Sequence, residues 1–170
     1  MSWPVVVGLD TDSYGFHAVL FGEEAPVPWR SFRSKSSYVD LRRIEACEEA
    51  RSLFLQLPPG AHIFAEEPLV LSKNGKTTRL LALMFGALWA QHLDLDVFWH
   101  FVDVAHWKRE VCGGGNFSKA QVADWVRGTV KMRHDATVRM AAYNAHQDLY
   151  DAHCLAVYGT RTIPVLRGVA

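Results

Sequence analysis

Short β-branched runs alternate along this chain with longer segments in which apolar residues recur every three or four positions. Val5, Val6, Val7 and Leu9 form an apolar run that ends at Asp10, and a polar turn leads to a second run at 17–21. Two such runs around a short turn predict a β-hairpin. Residues 27–32, with Pro26 and Pro28 at their start, predict a third strand, and the prolines place it at a sheet edge. Over 39–57, Leu41, Ile44, Ala50, Leu53, Phe54 and Leu57 keep helical spacing until Pro58-Pro59-Gly60 stops them. A buried strand at 62–65 then ends at Glu66-Glu67-Pro68. A Lys-rich loop at 72–76 precedes a helix from about 78 to 92, and 97–102 supplies a fifth strand.

Beyond that strand, Asp103 predicts an N-cap for a short helix carrying Trp107 and Lys108. Gly113-Gly114-Gly115 breaks this helix, Ser118 caps another, and a last helix is expected over about 145–158. The order βββαβαβα predicts an α/β fold with a mixed five-stranded sheet flanked by helices. No repeat or linker divides the sequence, so residues 1–170 are expected to form one domain. Trp89, Trp99, Trp107 and Phe101 lie in apolar stretches and are expected in the core.

Charge narrows the function classes. Eighteen Lys and Arg balance eighteen Asp and Glu, which excludes a polyanion binder held by global charge but not a local basic face. Three cysteines in no CxxC spacing argue against a disulfide framework or a structural zinc site, and predict a reducing, cytoplasmic setting. The longest apolar run, 80–90, is too short to span a bilayer, so no membrane partner is expected.

The chemistry concentrates in acids. A carboxylate directly after a hydrophobic strand is costly unless it is paired or binds a metal, and this happens twice, at Asp10 and at Glu66. Asp148 and Asp151 are spaced to project from one face at the start of the last helix. Taken singly, each acid reads as a turn, cap or helix-dipole residue. Taken together in this order, four carboxylates predict a site for divalent cations, and oxygen-only ligands favour Mg2+, with Mn2+ as a substitute. Glu67 beside Glu66 is an alternative ligand, since strand alternation lets only one of them face the site. His153 is expected in the core or behind the site, and His146 at its flank.

These stretches resemble the RuvC-type Holliday junction resolvases of the RNase H-like nuclease superfamily. The resemblance is carried by Val7-Gly8-Leu9-Asp10, by Phe64-Ala65-Glu66-Glu67, and by Asp148-Leu149-Tyr150-Asp151-Ala152, which fits the family's D/H-x-x-D-A pattern. A fourth stretch, from Trp107 to Val122, resembles the K-x-x-V-x-G-x-G-x-x-x-K-x-x-V segment, with Lys108 and Lys119 at the lysine positions. The resemblance implies an RNase H-like fold and a metal-dependent endodeoxyribonuclease acting on branched DNA in recombination or repair. It makes Asp10, Glu66, Asp148 and Asp151 the metal ligands, with cations about 4 Å apart flanking the scissile phosphate. Lys119 and Lys108 are then expected near that phosphate.

It further implies a homodimer, which the nearly all-apolar helix around 80–89 would serve, and a bacterial or phage-infected host cell. Two departures stand out. Pro68-Leu69 occupies the place of the family's base-stacking aromatic, leaving Leu69 as an apolar wedge or a buried residue. The turn from Asp10 to Gly15 is also shorter than usual. The compact chain and the missing aromatic suggest a phage-type or divergent member. Six basic residues against two acids between Lys108 and Arg133 form a candidate DNA face. Lys73, Lys76 and Arg79 add a second basic loop. Two alternatives stay open: a nuclease of the same fold without junction specificity, and a catalytically silent DNA-binding module.

Overall fold

The computed structural model describes residues 4–21, 25–68, 75–131 and 136–166. Strands β1 (Val6–Thr11), β2 (Gly15–Phe21) and β3 (Pro26–Arg33) form an antiparallel meander. Helix α1 (Val39–Phe54) returns the chain so that β4 (Ala61–Glu66) pairs parallel with β1, and α2 (Gly75–Ala90) does the same for β5 (Val97–Val102) beside β4. The sheet order is β3-β2-β1-β4-β5. Its edge strand β3 carries the expected prolines, and Pro28 lies at a register shift opposite Ala18 and Val19. An edge bulge is where a missing backbone N–H does least harm.

Strand alternation splits the core in two. Val7, Leu9, Ala18, Ile63 and Ala65 face α1 and α2, packing on Ala46, Ala50, Leu53, Phe54, Met84, Phe85 and Leu88. Val6, Val19, Phe64 and Val102 face the helices that follow β5. Two details differ from the sequence reading, at α1 and at Phe101, and a third, at α2, decides between deep burial and an open apolar surface. Leu41 and Ile44 of α1 are exposed, because the buried stripe runs through the small residues Ala46 and Ala50 instead. Helix α2 buries only Met84, Phe85 and Leu88. Phe101 is 53% exposed on the edge strand β5, whereas Trp107 is fully buried.

The C-terminal half differs more. Helices α3 (Val104–Cys112), α4 (Lys119–Lys131), α5 (Ala136–Ala145) and α6 (Leu149–Leu166) follow β5. The Asp103 carboxylate caps α3 by accepting from the His106 N–H at 2.8 Å, and Gly113, at φ 89°, closes it in the left-handed conformation. Ser118 and Gln121 cap α4 reciprocally: Ser118 Oγ accepts from the Gln121 N–H, and Gln121 Oε1 from the Ser118 N–H. The expected last helix over 145–158 is α6, which starts at Leu149 and runs on to Leu166. Residues 146–148 form a turn, so Asp148 stands just before α6, and α5 is an element the sequence reading lacked. The break puts the Asp148 carbonyl at the first helical bond, to the Ala152 N–H.

Helix α6 lies directly across β1, and Gly8 sets the distance. A β-carbon there would overlap the Ala152 carbonyl oxygen and the Ala156 amide nitrogen, which are backbone atoms of α6. Gly8→Ala is therefore expected to destabilise the protein by about 3 kcal/mol or more, the upper end for overpacking. Gly86→Ala, where a β-carbon meets open space inside α2, should instead stabilise by roughly 0.5–1 kcal/mol. Urea denaturation of the two variants checks this; equal midpoints would contradict the close approach.

Candidate metal centre

The parallel pairing of β1 and β4 matches Leu9 with Ala65, so the next residues, Asp10 and Glu66, stand side by side on the face that α6 covers. Helix α6 brings Asp151 in its first turn, with Asp148 one turn earlier. The four carboxylates thus come from three separate elements. Of the two adjacent glutamates, Glu66 joins this group. Glu67 is exposed, and its backbone N–H donates to the Val102 carbonyl at 2.9 Å. A cleft of about 160 Å3 opens beside them, lined by Asp10, Glu66, Glu67, Thr78 and Leu81 among others.

Electrostatics show how closely the acids crowd. Burial first, then the charges of Glu66, Asp151 and Asp148, push the Asp10 carboxyl well above its ordinary range. Glu66 is raised to about 7 by burial and by Asp151, against the opposing pull of the Trp107 N–H, Lys108 and Lys119. Asp151 is raised by burial, with Lys119 and Lys108 working the other way. Loss of hydration and like-charge repulsion both disfavour the ionised forms.

Three neighbours hold the group in place. The indole Nε1–H of buried Trp107 donates to Glu66 Oε2 at 3.2 Å, so this tryptophan, expected only as core, also orients a site acid. Lys119 donates to Asp148 Oδ1 at 3.0 Å. Lys108 donates to the Phe117 carbonyl at 3.0 Å, which anchors its ammonium near Glu66 and Asp151. Lys76 and Arg79 are exposed near the start of α2, whose Thr78 and Leu81 line the cleft. Lys73, Leu69 and Arg133 lie outside the described residues. His153 is buried and its Nδ1 bonds the Tyr143 hydroxyl at 2.6 Å. Exposed His146 stands near His17, with ring centroids 6.0 Å apart.

Sequence reasoning missed Asp12 and His17. His17 pairs with Asp10 across the β1–β2 ladder, so both side chains point to the same face. Its Nε2 lies 3.6 Å from Asp148 Oδ2 and 4.0 Å from Asp12 Oδ2. Asp12, His17 and Asp148 each offer a ligand atom, all within 4.8 Å of one another, and so form a possible metal-binding group. Counting outward from the hairpin turn would have placed His17 opposite Asp10.

This architecture, a mixed five-stranded sheet with helices on both faces, is the RNase H-like fold in its RuvC form. Two solved structures of RuvC from Thermus thermophilus superpose on nearly the whole chain. One, in complex with a Holliday junction substrate, has a TM-score of 0.69 at 15% identity and covers 99% of this chain and 98% of its own. The other gives 0.67 at 17% identity, covering 98% of each. No protein-family model matches the sequence, and no curated protein matches it either. Among the described residues no helix is long and apolar enough to cross a membrane.

Oxygen donors this crowded suit a hard divalent cation, whose charge offsets repulsion that the two lysines only partly relieve. A pH dependence follows. Glu66 binds its proton with a pKa of about 7 in the fold, against 4.5 in the ordinary range. Between those values the folded chain holds a proton that the unfolded chain has released. Stability without metal should therefore fall as pH rises from about 4.5 to 7, and the raised Asp10 and Asp151 act in the same sense. A divalent cation bound here would compete with these protons, so added Mg2+ should raise the melting temperature more at about pH 8 than at about pH 5.5. Thermal melts across that range, with and without Mg2+, check both signs.

Proposed function

We propose that this protein is a Mg2+-dependent endodeoxyribonuclease that cuts branched DNA, such as four-way junctions or flaps, in recombination or repair. The observation that carries the reading is the meeting of Asp10, Glu66, Asp148 and Asp151 at one end of a RuvC-like sheet with Lys108 and Lys119 beside them. In this reading the chain is a single nuclease domain over 1–170.

Each group has a role that its surroundings suit. Asp10, Glu66, Asp148 and Asp151 would hold divalent cations, with Mn2+ able to replace Mg2+. When bound, such cations polarise a phosphodiester and stabilise charge on the attacking and leaving oxygens. Trp107 fixes one oxygen of Glu66 and leaves the other free to face the site. Lys119 is exposed and bonded to Asp148, so it can exchange that contact for a phosphate oxygen of incoming DNA. Lys108 adds positive charge behind Glu66 and Asp151. Lys73, Lys76 and Arg79 belong to the same DNA face in this reading. That RuvC is solved with a Holliday junction supports a branched substrate.

A homodimer that cuts symmetrically placed strands completes the proposal. Its support is the apolar surface left on α2, where Leu83 is 39% exposed, and on the adjoining α1, where Ile44 is 53% exposed. Sizing at micromolar concentration tests this part.

Incubation with Mg2+ and matched junction, flap, duplex and RNA–DNA hybrid substrates tests the activity. The wild type should cut branched DNA, and Asp10→Asn should lower the rate on the order of 10³-fold or more. Cleavage of the hybrid alone would point to a nuclease without junction specificity. If no substrate is cut, a catalytically silent DNA-binding module becomes the better description.

A further inference from the structure

The turn between β1 and β2 builds a second donor group, of which the proposed chemistry uses Asp148 but neither Asp12 nor His17. Asp12 closes that turn: its Oδ1 accepts from the N–H groups of Tyr14 at 2.6 Å and Gly15 at 2.8 Å. Its other oxygen, Oδ2, faces His17 and takes an ion pair from Arg33 Nε at 3.2 Å. Asp148 is arranged in the same way, with Oδ1 on Lys119 and Oδ2 toward His17. The imidazole between them is 1% exposed. Ser31 Oγ lies 2.6 Å from its Nδ1 and fixes the ring, while Nε2 is buried, makes no hydrogen bond and points between the two carboxylates.

We propose that Asp12, His17 and Asp148 form an accessory cation site, separate from the carboxylate centre and adjoining it through Asp148, that takes one divalent transition-metal ion. Four observations carry it. The donor atoms lie 3.6, 4.0 and at most 4.8 Å apart. A tetrahedral ion with bonds of about 2.0–2.2 Å sets its ligands roughly 3.4 Å apart, so small movements close the site. One imidazole with two carboxylates suits Mn2+ or Zn2+, whereas Mg2+ prefers oxygen alone. A ligating histidine commonly donates its other ring N–H to an oxygen acceptor, which Ser31 Oγ supplies. Finally, His17 Nε2 is buried with its two carboxylate neighbours beyond hydrogen-bond distance, which is costly, and a metal bond would bridge the three.

The cations already present fit this arrangement. Arg33 occupies one lone pair of Asp12 Oδ2 and leaves another. Lys119 uses the Asp148 oxygen that faces away from His17. An ion here would draw Asp148 toward the hairpin and hold its carboxylate fixed beside the proposed catalytic group. The site is defined by metal binding alone, so it does not depend on the nuclease reading.

Mn2+ without DNA is the probe. Pulsed EPR on substoichiometric Mn2+ detects a ligating imidazole through its nitrogen coupling, which carboxylate ligands cannot produce. The wild type should show that coupling, His17→Gln should abolish it, and Asp10→Asn should keep it. Asp12→Asn retains the turn-forming Oδ1 but loses the carboxylate, so it should weaken the nitrogen-coupled Mn2+ by roughly tenfold or more. No nitrogen coupling in the wild type overturns the proposal, whether or not any variant folds. Coupling that survives His17→Gln assigns the nitrogen elsewhere and also overturns it. Loss of the coupling in Asp10→Asn would merge the ion with the carboxylate centre and defeat the claim of a separate site. Failure of DNA cleavage with the coupling present would leave this site standing while removing the nuclease proposal.

Discussion

The near-contact between the backbones of α6 and β1 at Gly8 is the constraint on which the rest depends. Two of the four acids ride on or just before α6, and a third sits two residues past Gly8 on β1. A helix standing one side chain farther off would leave Asp148 and Asp151 out of reach of Asp10. Closeness also makes the dipole of α6 count. Its N-terminal end carries partial positive charge toward Asp148 and Asp151, which partly offsets the repulsion among acids. Packing and electrostatics are thus set by one missing methyl group.

The balanced net charge acquires a spatial meaning from this arrangement. Acids are concentrated at the end of the sheet, where burial raises their proton affinity. Lys108 and Lys119 are close enough to lower that affinity in Glu66 and Asp151. A sum over the sequence reports zero, although the field is strongly uneven. Steering depends on that unevenness rather than on the total.

The elements legible in the sequence were those with strong local signals. The β-branched run before Asp10, the proline stop after α1, and the caps at Asp103 and Ser118 all act within a few residues, and all appear where the pattern places them. The acids were legible because carboxylates after hydrophobic runs are unusual. The start of the last helix was less so: the pattern begins it at Ala145, where α5 ends, and α6 starts only at Leu149 after the turn. Nor was the buried stripe of α1, which uses alanines where bulkier Leu41 and Ile44 invited the assignment. His17 escaped because its meaning lies in strand register. Nothing in its neighbours along the chain marks it, yet the ladder sets it opposite Asp10.

The spread of the carboxylates along the chain has a consequence in time. Asp10 is made early in synthesis and Asp151 late, and the helix carrying Asp151 must dock on the first strand before the group exists. Closing so long a loop is a late, entropically costly step. A chain still emerging from the ribosome therefore carries separate, well-hydrated acids with no shared site. Order of synthesis thus keeps the four acids apart until the fold is complete.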